Sequence, residues 1–231
     1  MVAGTNDWRQ NHAAYNRGEM DKWAMANTPY SIGYVHEADI PVQYKLAEAF
    51  TVGDMYYESI ISSTAPNRVS WFSGTINPPK GSKVNGTNKY MGGPTLDNRD
   101  SVGCERTDSG KPFSCVPLRW KTVPEYLQEA GISWRVYQDK DNFGDDPLVM
   151  WKQYQTSAKK KGDLAQRGTS FPGLQKFFDD ARDGKLPEVA YIVAPMQLSE
   201  HPPYMPMDGA WLQGEVAKAV MHGKNLSLIH I

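Results

Sequence analysis

A hydroxyl residue followed by alanine, proline, asparagine and arginine closes an apolar run in "YYESIISSTAPNRVSWFSGT". Two roles fit that residue, Thr64, and both use the same local geometry. As an N-cap, its oxygen would accept from the first turn of a helix in which Pro66 sits early. As a nucleophile, it would stand at a helix N-terminus, where free N–H groups bind phosphoryl oxygens. Arg68 could add a charged fork to those oxygens, or simply be solvated on the helix. A threonine hydroxyl attacks only after its proton is removed, which takes a neighbouring base or a metal ion. No base adjoins Thr64 in sequence, so a metal would need carboxylates from elsewhere.

A second constellation is "QLSEHPPYMPMDGAW". Glu200 and His201 follow an apolar strand and precede two prolines, so the loop is stiff and lies at a strand's carboxyl end. His201 there is either structural or a proton donor to a leaving group or phosphoryl oxygen. His12, in "NDWRQNHAAYNRGEMDKW", is either a pocket-wall residue or a helix cap, and His36 is read as structural. "QDKDNFGDD" is rich in aspartate, but its spacing misses the EF-hand pattern and a solvated turn is expected. Cys104 and Cys115 flank a polar segment with Gly110 and Pro112, read as a surface loop closed by a disulfide. A bridge there favours an oxidising compartment. The sequon Asn85-Gly86-Thr87 points the same way, as a glycosylation site.

The elements that must position these residues alternate. "ADIPVQYKLAEAF" has helical spacing, with Asp39 able to cap and Pro41 in the first turn, and "FTVGDMYY" follows as a short buried strand. "VPEYLQEAG" is a helix ending at Gly131 before the strand "ISWRVYQ". "GLQKFFDDARDGKLP" is a helix stopping at Gly184 before the strand "EVAYIVAP", and "DGAWLQGEVAKAVMHG" is a final amphipathic helix. Alternation of this kind predicts an α/β fold, a mostly parallel sheet with helices on both faces. Ligands of such sheets bind beyond the carboxyl ends of the strands. The loops there hold "SSTAPNR", "QDKDNFGDDP" and "APMQLSEHPPY", which can converge on one site.

The 231 residues, 40% hydrophobic and 22% charged, suffice for one sizeable domain with a proper core. A net charge of −1 gives no electrostatic reason to expect nucleic acid or an acidic membrane as partner. No apolar run is long enough to span a bilayer, and the first residues lack the pattern of a signal peptide. Residues 1–225 are expected to form one domain. Residues 226–231 resemble a translated sequencing adapter and are expected to be foreign to it, which would leave the sequon at Asn225 without meaning.

"IGYVHEADIPVQYKLAEAFTVGDMYYESIISSTAPNRVSWFSGTI" closely resembles the phosphoesterase family of secreted bacterial and fungal phospholipases C and acid phosphatases. "WKTVPEYLQEAGISWRVYQDKDNF", "LPEVAYIVAP" and "LSEHPPYMPMDGAWLQ" continue the match in order, from Ala3 to about Gly223. The cysteine segment and "DNFGDDPLVMWKQYQ" resemble the fungal branch more. The resemblance implies an alkaline-phosphatase-like fold and metal-assisted hydrolysis of phosphate esters, including phospholipids. It implies that Thr64 is the metal-bound nucleophile and that His201 lines the phosphate pocket. His12 falls on another pocket histidine, and Asn67, Arg68 and Glu200 fall on the substrate side. Where many members carry a histidine six positions before His12, this chain has Asn6.

Members of the family begin with a strand ending in a Glu-Asn motif and finish with paired acids near a "GGxxDH" stretch. Neither occurs here. The expectation is therefore an internal piece, incomplete at both ends, with most ligands of its divalent metal ion outside this chain and no turnover by itself. The alternative is a catalytically inactive phosphoester-binding or cell-wall protein on the same fold.

Overall fold

A computed structural model describes residues 4–76, 95–98, 104–106, 112–115 and 117–224, the two short strands β1 and β2 by backbone alone. In chain order the elements are α1 (Trp8–Tyr15), α2 (Trp23–Ala26), α3 (Pro41–Ala49), α4 (Thr64–Ser73), β1 (Cys104–Arg106) and β2 (Pro112–Cys115). There follow α5 (Val123–Glu129), β3 (Trp134–Gln138), α6 (Lys152–Lys159), α7 (Asp163–Gly168), α8 (Leu174–Asp183), β4 (Val189–Val193) and α9 (Pro206–His222). The architecture is α/β, with β3 and β4 paired in parallel from Trp134 opposite Val189 to Gln138 opposite Val193.

Local signals set most of these boundaries. Thr122 and Glu125 form a reciprocal capping box at α5, with Pro124 in its first turn. Gly184 ends α8 in the left-handed conformation, as expected of a glycine just past a helix. Trp134, Val136 and Val193 face the core formed with Val69 and Phe72 of α4, Leu118, Trp151 and Tyr154. On the opposite face of β3, Tyr137 meets Phe177 of α8 edge-on and donates to Asp180 at 2.9 Å. Burial raises the Tyr137 hydroxyl pKa, and the bond to Asp180 adds to the rise. Both faces of β3 are thus covered, which is why it reads as a nearly continuous buried run.

Four expectations are corrected. Residues 50–57 run irregularly around a turn, with Val52, Tyr56 and Tyr57 exposed, in place of a buried strand. A strand needs a partner for its N–H and C=O groups, and among the described residues none pairs with this run. Asp39 does not cap α3, whose N-cap is Ile40; its carboxylate accepts from the His36 N–H instead. The segment between the cysteines is not plain loop at its ends, because β1 and β2 pair there antiparallel. The aspartate-rich turn is not simply solvated, since Asn142 and Asp146 are buried. The sequon at Asn85 and residues 226–231 lie outside the described residues.

That turn is rooted in the last residue of β3. Gln138, buried, donates to Asp146 Oδ2 at 2.9 Å and to the Ser170 carbonyl at 3.1 Å, and accepts from Asn142 Nδ2. Burial pushes the Asp146 carboxyl up to about 6, although bonds from Gln138 and the Leu148 N–H favour its charged form. A carboxyl that binds its proton more tightly folded than unfolded stabilises the fold when protonated. That contribution is full below the ordinary value of 3.8 and is lost as pH rises through about 6. Denaturant unfolding should therefore lose stability from pH 4 to 6, by about 2–3 kcal/mol from this group. Asp146→Asn should remove that slope whatever its absolute cost, and an unchanged slope would show that Asp146 is not the group responsible.

Candidate active site

At the start of α4 the chain turns sharply out of residues 60–63, and Asn67 makes that turn. Its Oδ1 accepts from the Ile60 N–H at 2.9 Å. Its Nδ2 donates to the Ile60 carbonyl at 2.9 Å and to the Ser63 carbonyl at 3.0 Å. Asn67 therefore clamps the loop that presents Thr64. Ser63, not Thr64, is the N-cap residue of α4. The capping itself comes from a distant segment, because Asn98 Oδ1 accepts the Ala65 N–H at 2.6 Å. Ser63 Oγ donates to Asp97 Oδ1 at 3.2 Å and accepts from the Asn98 N–H at 2.7 Å. The cap reading of Thr64 is thereby corrected: its hydroxyl belongs to the first helical residue and is not used for capping.

The same geometry limits the helix end as an anion site. The Ala65 N–H is taken by Asn98 and Pro66 has none, which leaves Thr64's own N–H among the first three helical positions. Charge for an anion must then come mainly from Arg68, one helical turn beyond Thr64 and on the same face. Thr64, Asn67, Arg68, Trp71, Asn6 and Glu58 are among the residues lining a cleft of about 670 Å³. Asn6 is drawn in by Asn11 of α1, whose Nδ2 donates to the Asn6 and Ser62 carbonyls at 3.3 and 3.4 Å.

Arg68 is anchored from the loop after β3. Its Nη1 donates to the Asp145 carbonyl at 2.9 Å and its Nη2 to Asp145 Oδ2 at 3.0 Å. Burial pushes the Asp145 carboxyl above its usual range, an effect that Arg68 and His201 oppose. His201, from the loop after β4, lies with its ring centroid 4.5 Å from that of Phe143. The two loops are also joined directly, the Met196 N–H donating to the Asp141 carbonyl at 2.8 Å. The loop after β3 thus meets α4 through Asp145, and the loop after β4 meets the loop after β3. His201 is not among the residues lining the cleft. Among the described residues no strand leads into the start of α4, as the alternation of elements had required.

His201 Nδ1 lies 2.7 Å from the Pro202 carbonyl. A carbonyl only accepts, so Nδ1 carries a proton and Nε2 is the nitrogen left for chemistry. The remaining sequence candidates stand apart. Glu200, next in the chain, is turned away: its Oε1 accepts from Gln43 of α3 at 2.8 Å and from Gln213 of α9 at 3.0 Å. Its side chain lies against Gly209, where a Cβ would come within 2.1 Å of Glu200 Cγ. His12 stacks on Trp8 at 4.0 Å and lines a separate depression with Arg17 and Lys22. Asp145, Phe143, Asn98 and Glu58 escaped the sequence reading. The acidic turn reads in sequence as a calcium loop or a solvated turn, and the Asp97-Asn98 pair carries no local signal, because their partners lie far off in the chain.

Asn67→Ala should cost about 2 kcal/mol, from three part-buried hydrogen bonds offset slightly by alanine's helix propensity. Urea unfolding measures it, and a loss below about 0.5 kcal/mol would show that the clamp is dispensable.

The profile of the phosphoesterase family matches residues 3–229. A non-hemolytic phospholipase C of Pseudomonas aeruginosa is 41% identical over 213 residues, covering 90% of this chain and 28% of the relative. A non-hemolytic phospholipase C of Burkholderia pseudomallei is 32% identical over 237 residues, covering 92% of this chain and 30% of the relative. Phospholipase C A of Mycobacterium tuberculosis is 34% identical over 212 residues, covering 85% and 36%. The chain thus spans about a third of the length of these relatives. With the match running through nearly all of its residues, the chain belongs to the phosphoesterase family.

Proposed function

We propose that this chain carries the nucleophile and part of the phosphate pocket of a phosphoester hydrolase of phospholipase C or acid phosphatase type, on an alkaline-phosphatase-like fold. The observation that carries the reading is Thr64 and Arg68, one turn apart in α4 and lining one cleft, with capping of α4 done by Asn98. A hydroxyl released from capping beside an anchored guanidinium suits attack on phosphorus. The names of the relatives, phospholipases C, support the same class.

In this reading Thr64 Oγ1 attacks in line. The Oγ1–P bond forms as the ester P–O bond breaks, giving a phosphothreonine that water then hydrolyses. The N–H groups of Arg68 not held by Asp145 take charge developing on the phosphoryl oxygens. His201 as imidazolium gives its Nε2 proton to the leaving oxygen, Nδ1 being held by Pro202. By the family resemblance Thr64 would hold a divalent ion, which would acidify the hydroxyl so that solvent water takes its proton. Among the described residues no three His, Cys, Asp or Glu side chains gather to hold one. The described residues therefore do not make a metal centre by themselves.

Cys104 and Cys115 are proposed to form a disulfide, which favours a secreted protein. Supporting it, their Cα atoms are direct partners in the β1–β2 register. Directly opposed residues of an antiparallel pair have Cα atoms about 4.5–5.5 Å apart, within the range a disulfide spans. Protein made through a secretory route should yield a linked Cys104–Cys115 peptide in a non-reduced digest. Two free thiols by mass spectrometry would remove both the bridge and the compartment.

The nucleophile is tested in the protein that carries this chain, assayed with p-nitrophenyl phosphate and p-nitrophenyl phosphorylcholine and added divalent metals. Thr64→Ala should lower kcat by several orders of magnitude while changing stability by less than about 1 kcal/mol. Thr64→Ser should keep more activity, since the attacking group survives. Near-normal turnover in Thr64→Ala would sink the assignment. Tight phosphoester binding with no turnover in the unsubstituted protein would favour the inactive binding protein instead.

A further inference from the structure

We propose that the segment Phe143-Gly144-Asp145 is a positioning element behind the cleft, ordering Arg68, which lines it, and His201, which touches Phe143, before a phosphoryl group arrives. The inference rests on the phosphoester reading above and assigns roles to two residues outside it. Asp145 grips the guanidinium with one backbone carbonyl and one carboxylate oxygen, at 2.9 and 3.0 Å. The plane of Arg68 is therefore set by the chain as well as by charge, with the pair half-buried at 30% and 25% exposure. An arginine left free on a helix face would lose rotamer freedom on meeting its ligand; this one has lost it beforehand.

Phe143 supplies a second, independent observation. It sits at φ +62°, in the left-handed region that a bulky side chain rarely occupies, and Gly144 follows at φ +75°. Burial does not explain this conformation, because Phe143 remains 37% exposed. What the turn achieves is contact: it brings the ring onto His201 while sending Asp145 to Arg68. The turn is itself held from β3. Asn142 accepts from the Gly144 N–H through Oδ1 at 3.0 Å and from the Asp145 N–H through its carbonyl at 3.1 Å. Its own amide donates to the buried Gln138. One three-residue segment thus couples two candidate site residues from separate elements to the rigid end of the sheet.

The test is a titration of the 15N-labelled chain with inorganic phosphate, following the Arg68 side-chain N–H and the His201 ring signals. In the unsubstituted chain Arg68 should be ordered without phosphate and should shift when it is added. Asp145→Asn should free the Arg68 side chain and raise the phosphate Kd about ten- to hundredfold. In an Arg68→Ala background the same substitution should add nothing, as expected of a residue acting through another. Phe143→Ala, at an exposed position, keeps the test open should Asp145→Asn fail to fold. It should move the His201 ring signals and weaken phosphate, and Phe143→Tyr should restore both. An unchanged or tighter Kd in Asp145→Asn, or His201 signals indifferent to Phe143→Ala, overturns the inference. Phosphate binding that persists in both variants removes only this inference; no response at Arg68 in the unsubstituted chain removes the phosphate reading and this inference together.

Discussion

Parallel strands cannot be joined by a tight turn, so pairing β3 with β4 commits the intervening chain to a long crossover. That crossover here contains α6, α7 and α8. The parallel register also brings both carboxyl ends to one side, Gln138 beside Val193. The loops that hold Arg68 and carry His201 follow from this. The loop after β3 brings Phe143 and Asp145, the loop after β4 brings His201, and the core beneath them holds α4 through Val69 and Phe72. The ladder fixes where the loops start, and Gln138 fixes how the first of them leaves.

Buried polar groups carry unusual weight in that arrangement. Gln138 lies inside the fold with all of its amide engaged, linking the end of β3 to Asp146, Asn142 and the Ser170 carbonyl. Thr122 and Tyr154 share a buried hydroxyl contact of 2.8 Å, and the Trp120 indole donates to Ser73 Oγ at 2.8 Å. A buried polar group left without a partner costs more than a formed bond contributes. Such networks therefore select one arrangement of loops over near alternatives, which is what a site built from three separate segments requires.

The site also shows a division of labour between charge and geometry. Asn67 contributes no charge and holds the backbone before Thr64, whereas Arg68, its neighbour, carries the charge and is itself held by Asp145. Glu200 and His201 divide in the same way. Glu200 ties its loop to α3 and α9 through Gln43 and Gln213, leaving His201 to face Phe143. Adjacent residues in a motif can therefore serve one site at different removes from the chemistry.

Sequence by itself determined the elements whose information is local. Gly131 and Gly184 stop helices, Pro41 and Pro124 start them, and the apolar runs of β3 and β4 flanked by helices specify a parallel pair. It also marked Thr64, Arg68 and His201, because hydroxyl, guanidinium and imidazole at such boundaries carry their chemistry with them. Tertiary structure decided what depends on partners far along the chain. Whether residues 50–57 become a strand depends on a neighbouring strand, and whether Thr64 caps α4 depends on Asn98, 34 positions away. Asp145 could not be told from the aspartates around it until its distance to Arg68 was fixed. Propensity and spacing act over a turn or two of chain, while hydrogen bonds and ion pairs depend on distance in space, and only the folded chain sets that distance.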